Sequence, residues 1–418
     1  MRRPLPVFRP GHLVRPTLAA LSVLLVGCAS APDTGPKVKT TDGPLAPGNA
    51  TCASFKPTGD GAFKHPGGLN TQAGLDFVKA QIQAGNQPWT KVFTTMKESA
   101  WATRTPNGLS AIDSKGGDAN TSGYDALGAY AQALLWYFTD EEAYAKGALA
   151  ILNSWQGLQG FTSGTDQDKL QAGWIGAVFA PAAEIMRGYP GWAATDLAAF
   201  QAMFKRAFYP QLTTASSWNG NVDLTQIDAM MNIAVFNEDW TLFNQGITRW
   251  QTRGQSYFYL STQGPNGAKI PAIPGDGSNV QAFWANPIAW VDGLEQETCR
   301  DCGHHAQFGL ASALHAAEVA WNQCVDIYTA EITRYTTALE LLAKQLLTNN
   351  YADVCGTACT ATSDRYDIFE IGYNHFHNRM GVPLPNTLDQ ITNLRSASNT
   401  RWTSWNLAYE TLTHAEVP

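Results

Sequence analysis

The sequence predicts an all-α protein, specifically an (α/α) toroid or incomplete barrel made of antiparallel helix pairs. Two observations support this fold class. Apolar residues recur at helical spacing in about eleven segments, and short loops rich in Gly, Pro and Asn join most of them. Strand patterns are weak and short, with neither a βαβ alternation nor a fixed-period repeat. Helices of similar length joined by short turns are expected to pair antiparallel.

The predicted helices share this apolar spacing and follow one another from residue 72 to residue 412. They cover residues 72–84, 89–102, 123–138, 141–155, 169–187, 194–208, 223–236, 240–257, 303–321, 325–347 and 399–412. Because no linker interrupts residues 60–415, we predict one domain over residues 61–418. The longest irregular segment, residues 261–280, is consistent with either a lid or a surface insertion.

The N-terminal region has the pattern of an export signal. Arg2 and Arg3 precede a short apolar run at residues 18–27, which is too short to span a bilayer. The sequence Leu-Val-Gly-Cys at residues 25–28 resembles a bacterial lipobox. We therefore expect residues 1–27 to be a lipoprotein signal peptide and Cys28 to be lipid-modified. An ordinary cleaved signal peptide is the alternative.

Residues 28–60 are expected to be a disordered tether between the lipid and the domain, because Pro, Gly, Thr and Ala dominate their first part without apolar periodicity. Ala29, rather than Asp, follows the lipidated cysteine. This favours the outer membrane of a Gram-negative bacterium, so the expected location is its periplasmic face or the cell surface. Membrane contact is expected through the lipid alone.

The charge of the chain argues against nucleic acid as a partner. The formal net charge is −7, and the first 27 residues hold four arginines and no acid, so the remainder is more acidic still. An anionic polymer can then bind only where cations are concentrated in a cleft. The chain has 14 Trp and 14 Tyr, which suits a large core with an aromatic-lined groove. We expect a monomer.

Six cysteines remain after Cys28, and an even number in an exported protein predicts disulfides. The pairing is left open because six cysteines allow fifteen arrangements. A zinc site is the alternative, since two residues separate Cys299 from Cys302 and three separate Cys355 from Cys359.

The stretch from residue 297 to residue 321 has the densest set of candidate functional groups. Arg300, Asp301, His304 and His305 lie within six residues and directly precede an apolar helix pattern. A helix start offers free backbone N–H groups and the positive end of a dipole, which favour a bound carboxylate. The alternative is a helix start that Asp301 caps, with the other side chains solvated.

Two further clusters contain hydrogen-bond donors. Residues 218–221, Trp-Asn-Gly-Asn, precede a predicted helix, and their amides can bind a carboxylate or form only a cap and turn. Residues 365–379 hold several Tyr, His, Asn and Arg side chains before Gly381 and two prolines. We expect this segment to be irregular, and a polar loop with buried tyrosine hydroxyls is its alternative interpretation.

Seven motifs spread over residues 65–415 together resemble the alginate-lyase superfamily of polysaccharide lyases, most closely its polymannuronate and glucuronan lyases. They are GYDALGAYAQALLWYF (123–138), AILNSW (150–155), AGW (172–174), NGN before IDAMMNIAVF (219–236), ETCRDCGHHAQFGL (297–310), EVAWNQ (318–323) and EIGYNHFHNR (370–379). The resemblance implies an (α/α) barrel, cleavage of 4-linked polyuronates by β-elimination, and no metal or other cofactor.

β-Elimination explains which residue types such a site needs. A group must neutralise the uronate carboxylate, a base must remove the C5 proton, and an acid must protonate the departing O4. The resemblance implies that an Asn, a His, an Arg and a Tyr do this work. It assigns Asn221 as the neutralising residue, with Asn219 as second choice, and Tyr373 as the catalytic tyrosine.

The resemblance leaves the histidine and the arginine open. Spacing from Arg300 and Asp301 selects His304, whereas spacing to the following Gln-Phe-Gly-Leu selects His305. The arginine is Arg300 or Arg365. The matched motifs also place several residues where they are expected to bind substrate: Asn219, Arg300, Tyr124, Trp174, His375 and Arg379.

Two other functions fit parts of the sequence. A glycoside hydrolase would need two carboxylates flanking the bond, and Glu297, Asp301 and Glu370 are available without a distinctive spacing. A surface lipoprotein that only binds polysaccharide would not need the tyrosine and histidine. The sequence leaves open which uronate is cleaved and whether cleavage is endolytic or exolytic.

Overall fold

The structure is a computed structural model that describes Cys52, residues 62–357, Cys359 and residues 364–418. These residues belong to one compact unit that runs from Pro44 to Pro418. The predicted signal peptide, Cys28 and most of the predicted tether lie outside the described residues. Cys52, which lies within the predicted tether, is bonded to Cys324. No described helix is both long and apolar enough to cross a membrane.

Seventeen α-helices and one short hairpin make up the regular structure of the described residues. The helices are α1 Gln72–Gln83, α2 Trp89–Lys97, α3 Gly117–Thr139, α4 Glu142–Ser154, α5 Asp166–Met186, α6 Ala194–Met203, α7 Tyr209–Leu212, α8 Gly220–Phe236, α9 Trp240–Tyr257, α10 Val280–Phe283, α11 Thr298–Asp301, α12 His304–Asn322, α13 Ile332–Thr348, α14 Ala352–Cys355, α15 Glu370–Tyr373, α16 Pro385–Ser396 and α17 Glu410–His414. The hairpin pairs β1 Thr403–Ser404 with β2 Leu407–Ala408. π-Helical turns continue α6 through Phe208 and α15 through Arg379.

The inner layer of the toroid consists of α3, α5, α8, α12 and α15, which run parallel to one another. The parallel direction follows from the contacts between neighbouring helices, because the residue numbers of the contacting pairs increase on both helices. Gly173 and Gly176 of α5 meet Thr225 and Ala229 of α8. In the same way Thr225 and Asp228 of α8 meet Ser312 and His315 of α12. The N-terminal ends of the inner helices therefore open toward the same side of the barrel.

Helix α8 is the centre of this layer, and all of its residues are buried. A helix that is buried on every side must approach its neighbours closely. Small residues make this possible, because a Cβ atom at Gly173 would lie 2.8 Å from Thr225 Cγ2 and one at Gly176 would lie 3.1 Å from Ala229 Cβ. The Ala-Gly-Trp motif thus serves helix packing through its glycine.

The outer layer consists of α4, α6, α9, α13 and α16. The first four return the chain between inner helices, and α16 follows the last inner helix. Helix α9 shows the principle, because it buries one face that includes Leu242, Ile247 and Trp250 and exposes the other. The indole N–H of Trp250 donates to the Ala313 carbonyl of α12 at 2.8 Å. Parallel inner helices with antiparallel outer partners confirm the predicted (α/α) toroid.

The prediction fails at the C-terminal end, where residues 399–412 do not form one helix. This segment contains the hairpin β1–β2, and Trp405 and Tyr409 both have left-handed backbone conformations that end any helix. Asn406 at the hairpin tip donates to Asp228 Oδ2 at 3.2 Å and to Ser312 Oγ at 3.0 Å. The hydrogen bonds to these buried residues of α8 and α12 therefore stabilise a hairpin in a segment whose apolar spacing predicts a helix.

Residues 370–379, expected to be irregular, are helical instead. Glu370 at their start forms two hydrogen bonds of 2.8 Å with Arg395, so its buried carboxylate is paired. The sequence also did not predict α16, whose mixed polar sequence hides its apolar spacing. Both deviations arise where tertiary contacts, rather than local pattern, decide the backbone conformation.

A buried ion network joins three parts of the barrel at its centre. His315 of α12 bonds Asp228 of α8 through Nδ1 and Glu410 of α17 through Nε2, both at 3.1 Å. Burial opposes a charge on the imidazole, but the two carboxylates prevail and raise the pKa of His315 to about 10. His315 is therefore charged at neutral pH and holds α17 against the inner layer.

We predict that His315→Gln lowers the free energy of unfolding by roughly 3–5 kcal/mol, because it leaves buried carboxylates without a counter-charge. The pKa of His315 is raised on folding, so its stabilisation is complete below about pH 6.5 and declines as pH rises toward 10. Chemical denaturation of both proteins at pH 6 and pH 9.5 tests this. The difference between them should shrink at the higher pH, and a difference that grows would contradict the charged state.

Candidate active site

Polar side chains converge where two inner helices begin, at the starts of α8 and α12. The segment Asp364–Tyr366, which leads toward α15, lies beside them. Asn221 sits in the first turn of α8, and His304 and His305 open α12. Since the inner helices are parallel, residues far apart in sequence meet at this end of the barrel.

Glu297 organises the Asn221 side of the site. Its fully buried carboxylate accepts hydrogen bonds from Asn221 Nδ2 at 2.6 Å, from the Asn221 backbone N–H at 3.0 Å and from the Tyr257 hydroxyl at 3.2 Å. Arg300 binds the other oxygen at 2.6 Å. A carboxylate only accepts hydrogen bonds, so Asn221 must direct its amide nitrogen to this side and keeps a second amide hydrogen for a ligand.

Each of the adjacent histidines is oriented by its own aspartate. His304 Nδ1 lies 3.1 Å from Asp364 Oδ2, and His305 Nδ1 bonds Asp301 Oδ2. With Nδ1–H donated to a carboxylate, the lone pair of the neutral imidazole is on Nε2. Burial and the neighbouring His305 lower the pKa of His304, although Asp301 and Asp364 oppose this. His304 is thus neutral at pH 7 and able to accept a proton.

Tyr366 is a tyrosine whose ring packs near these histidines. Its ring lies 5.8 Å from that of His304 and 4.9 Å from that of Phe308. Its buried hydroxyl makes no hydrogen bond within the described residues, although Asp364 and Ser404 lie beside it. Burial and the charge of Asp364 raise the pKa of Tyr366 to about 12, so the phenol keeps its proton at neutral pH.

The free backbone donors expected at the helix starts are already used by the protein. The Gly220 and Asn221 N–H groups of α8 donate to Gln296 and Glu297. At α12, the His305 N–H donates to Asp301 at 3.0 Å. Asp301 thus accepts from the start of α12, as the alternative interpretation expects, but Arg300, His304 and His305 are paired with carboxylates rather than simply solvated. A ligand carboxylate has to rely on side chains instead.

Two disulfides hold the two halves of the site together. Cys299 pairs with Cys355, and Cys302 pairs with Cys359. They bind the turn that carries Arg300 to the segment that leads to Asp364. The expected disulfides are confirmed, with Cys52–Cys324 as the third. No group of His, Cys, Asp and Glu among the described residues has the arrangement of a metal site.

The structure does not bring Tyr373, His375 and Arg379 into this cluster. Tyr373 stacks on His377 at 4.6 Å and has Arg395 and Glu370 as charged neighbours. His375 is buried and stacked on Tyr328 at 3.7 Å. Arg379 forms two hydrogen bonds with Glu318, at 3.0 and 2.9 Å. These residues hold α12 and the helix that begins at Glu370 together further along the barrel.

The other predicted residues are distributed around the mouth of the barrel. Arg365 donates to the carbonyls of Asp364 and Leu346, which directs it toward the end of α13. Asn219 is the N-cap residue of α8 without a side-chain cap bond. Tyr124 is 43% exposed on α3, next to Arg104. Trp174 on α5 stacks on Trp405 at 5.2 Å.

Several residues that shape the site had no distinctive sequence signal. The sequence predicts a role for Glu297 only as a possible hydrolase carboxylate, and it predicts none for Asp364 or Trp405. Tyr366 lies in the polar segment 365–379, but the motif EIGYNHFHNR predicts Tyr373 as the catalytic tyrosine. The cysteines are the sequence feature that could have located Asp364 and Tyr366. Bonds from Cys299 and Cys302 to Cys355 and Cys359 place the residues that follow Cys359 beside the start of α12.

The irregular segment over residues 261–280 lies against the start of α8. Arg253 of α9 binds Asp276 through two nitrogens at 2.6 and 3.0 Å and also binds Asp223 at 2.8 Å. A Cβ atom at Gly275 would lie 3.0 Å from Ser217 Cα, next to the exposed Trp218. The segment is therefore anchored beside the mouth of the barrel.

Fold and site together define an (α/α)-toroid protein with a cluster of Asn, Arg, His and Tyr at the opening of its barrel. The chain matches the family model described as alginate lyase over residues 79–257. This match covers less than half of the chain and supports the resemblance to the alginate-lyase superfamily. No curated protein matches the chain.

Solved alginate lyase structures share this fold. A variant of alginate lyase A1-III in its apo form has a TM-score of 0.61 at 14% identity, covering 84% of this chain and 96% of that one. Alginate lyase A1-III from Sphingomonas species A1 gives 0.56 at 14% identity, covering 78% and 95%. Another A1-III variant, complexed with a tetrasaccharide, gives 0.60 at 14% identity, covering 86% and 98%.

Proposed function

We propose that this protein cleaves 4-linked polyuronates, such as alginate, polymannuronate or glucuronan, by β-elimination. The observation that carries the proposal is the meeting of Asn221, Arg300, His304 and Tyr366 at one end of the barrel. Together they supply a carboxylate partner, a base and an acid, which are the three roles that β-elimination requires. The tetrasaccharide bound in the related A1-III structures supports a saccharide substrate.

The uronate carboxylate is proposed to bind Asn221 and Arg300. Asn221 has one amide hydrogen left after its bond to Glu297, and Arg300 is 41% exposed. Neutralising this carboxylate stabilises the negative charge that develops as the C5 proton leaves. Glu297 acts as a positioning residue, because it fixes the amide orientation of Asn221 and the place of Arg300.

His304 is the proposed base. Asp364 orients its ring, and its lowered pKa leaves it neutral, so Nε2 can take the C5 proton. His305 is the alternative, since Asp301 orients it in the same way. His304 is preferred because it lies next to Tyr366, which places base and acid on the same side of the cleft.

Tyr366 is the proposed acid. As the C4–O4 bond breaks, its phenol gives its proton to O4, and the uronate on the other side gains a C4–C5 double bond. The raised pKa of Tyr366 keeps this proton on the phenol at neutral pH, so that it is available for transfer to O4. Tyr366 is buried against Arg401 and Ser404, so its hydroxyl must become accessible when substrate binds.

A glycoside hydrolase is less consistent with this arrangement. The carboxylates nearest the cluster are already committed, because Glu297 binds Asn221 and Arg300, Asp301 binds His305, and Asp364 binds His304. A hydrolase needs one carboxyl as acid and a second as base or nucleophile. These three instead position the groups that β-elimination uses.

Products distinguish the two reactions directly. We expect absorbance from unsaturated uronate ends to increase when the protein acts on at least one of polymannuronate, polyguluronate and glucuronan. A neutral 4-linked glucan serves as the control, because it has no carboxylate to neutralise and should give no signal. New reducing ends without ultraviolet absorbance would identify a hydrolase and contradict the proposal.

Tyr366→Phe should lower kcat on the best polyuronate by at least about 100-fold with little change in KM, because it removes only the transferable proton. His304→Ala should lower kcat by a similar factor, whereas His305→Ala should cost less than about tenfold. Tyr373→Phe is the matched control, since it removes the same atom outside the cluster. Initial rates over a range of substrate concentrations measure all four.

Near-normal turnover by Tyr366→Phe together with loss of activity in Tyr373→Phe would return the catalytic role to Tyr373. The turnover of His304→Ala compared with that of His305→Ala decides in the same way which histidine is the base. Circular dichroism of each variant separates a catalytic loss from misfolding. Each substitution is small relative to the barrel core, so we expect the helical signal to remain.

We further propose that the protein is a lipoprotein anchored through Cys28, on the periplasmic face of the outer membrane or at the cell surface. The charged start, the short apolar run and the Leu-Val-Gly-Cys sequence support this. Cys28→Ala should release the protein from the membrane fraction. A variant that still fractionates with membranes would argue against lipid attachment.

A further inference from the structure

The hairpin β1–β2 inserts its tip, Trp405–Asn406, among the inner helices. Asn406 is buried and bonded to Asp228 and Ser312, while Trp405 contacts Trp174 of α5 and Phe308 of α12, each with ring centroids 5.2 Å apart. Helix α8 lies between α5 and α12. The Trp405 ring therefore lies between α5 and α12, above the start of α8 and beside the proposed active site.

Trp405 is an unusual residue for this turn. It is the first of two residues between paired strands and has a φ of 50°. Two-residue hairpin turns require positive φ at this place and normally use Gly, Asn or Asp, because a bulky side chain is strained there. Strain of this kind is maintained where the side chain has a function.

Packing within the protein does not explain why a tryptophan occupies position 405. The side chain is 42% exposed, although it has two aromatic neighbours. Arg401, four residues earlier and 51% exposed, pairs with Asp364 at 2.6 Å and lies over the ring of Tyr366, which itself contacts Phe308. The open aromatic face of Trp405 is thus linked through ring contacts to a partly exposed guanidinium. This combination suits a uronate residue, which has an apolar C–H face and a carboxylate.

We propose that Trp405 is a saccharide-stacking residue, on whose exposed face a uronate ring of the substrate packs next to the site of cleavage. This inference rests on the proposed polyuronate lyase function. Ser404, the residue before Trp405, lies beside the Tyr366 hydroxyl. A sugar ring stacked on Trp405 would therefore lie close to the proposed acid.

Trp405→Gly is the decisive variant, because glycine suits the positive φ and keeps the turn. We expect KM for the best polyuronate to rise about tenfold with kcat changed little, since stacking binds ground state and transition state alike. The melting temperature should stay close to that of the unchanged protein. Trp405→Phe, which keeps a ring, should recover most of the affinity. Trp405→Asn repeats the test with a second residue that tolerates this conformation.

Trp136→Ala is the control, because Trp136 is a partly buried tryptophan that packs on Tyr189 near the far end of α3. An unchanged KM in both Trp405→Gly and Trp405→Asn overturns the proposal. So does an equal rise in KM for Trp136→Ala. If no polyuronate is cleaved by the unchanged protein, the proposed function fails and this inference fails with it. Normal cleavage with an unaffected KM in the Trp405 variants rejects the inference alone.

Discussion

The complete burial of α8 is the constraint on which the rest of the structure depends. A helix with no solvent-facing side must be enclosed by other helices, and Gly173 and Gly176 let α5 come close enough to do so. The inner helices are parallel, so their first turns meet at one end. The same packing that encloses α8 thereby assembles Asn221 with His304, whose positions are 83 residues apart in the sequence.

Much of the fold could be predicted, because the apolar spacing of the helices reflects the faces that they bury. Helix α9 begins and ends at the predicted residues, Trp240 and Tyr257. Residues 399–412 could not be predicted, since their helical spacing competes with bonds from Asn406 to two distant helices. A local pattern contains no information about such partners.

The site could be predicted in part for a related reason. Asn221, Arg300 and the two histidines lie in short motifs at helix starts, and their proximity follows from helix direction. The tyrosine could not be chosen in this way. Tyr366 and Tyr373 are seven residues apart, and only the packing of Phe308 and Arg395 shows which faces the histidines and which faces away. The carboxylates of Glu297, Asp301 and Asp364 could not be assigned from the sequence either. In the structure they bond the amide, guanidinium and imidazole groups of the site.

The two disulfides near the site stabilise a different part of the molecule from the packing of the inner helices. Helices α5, α8 and α12 pack through side chains that involve no cysteine. The pairing of His304 with Asp364 instead joins segments that are linked by Cys299–Cys355 and Cys302–Cys359. The inner layer therefore depends on packing, whereas the frame of the candidate site also depends on covalent bonds.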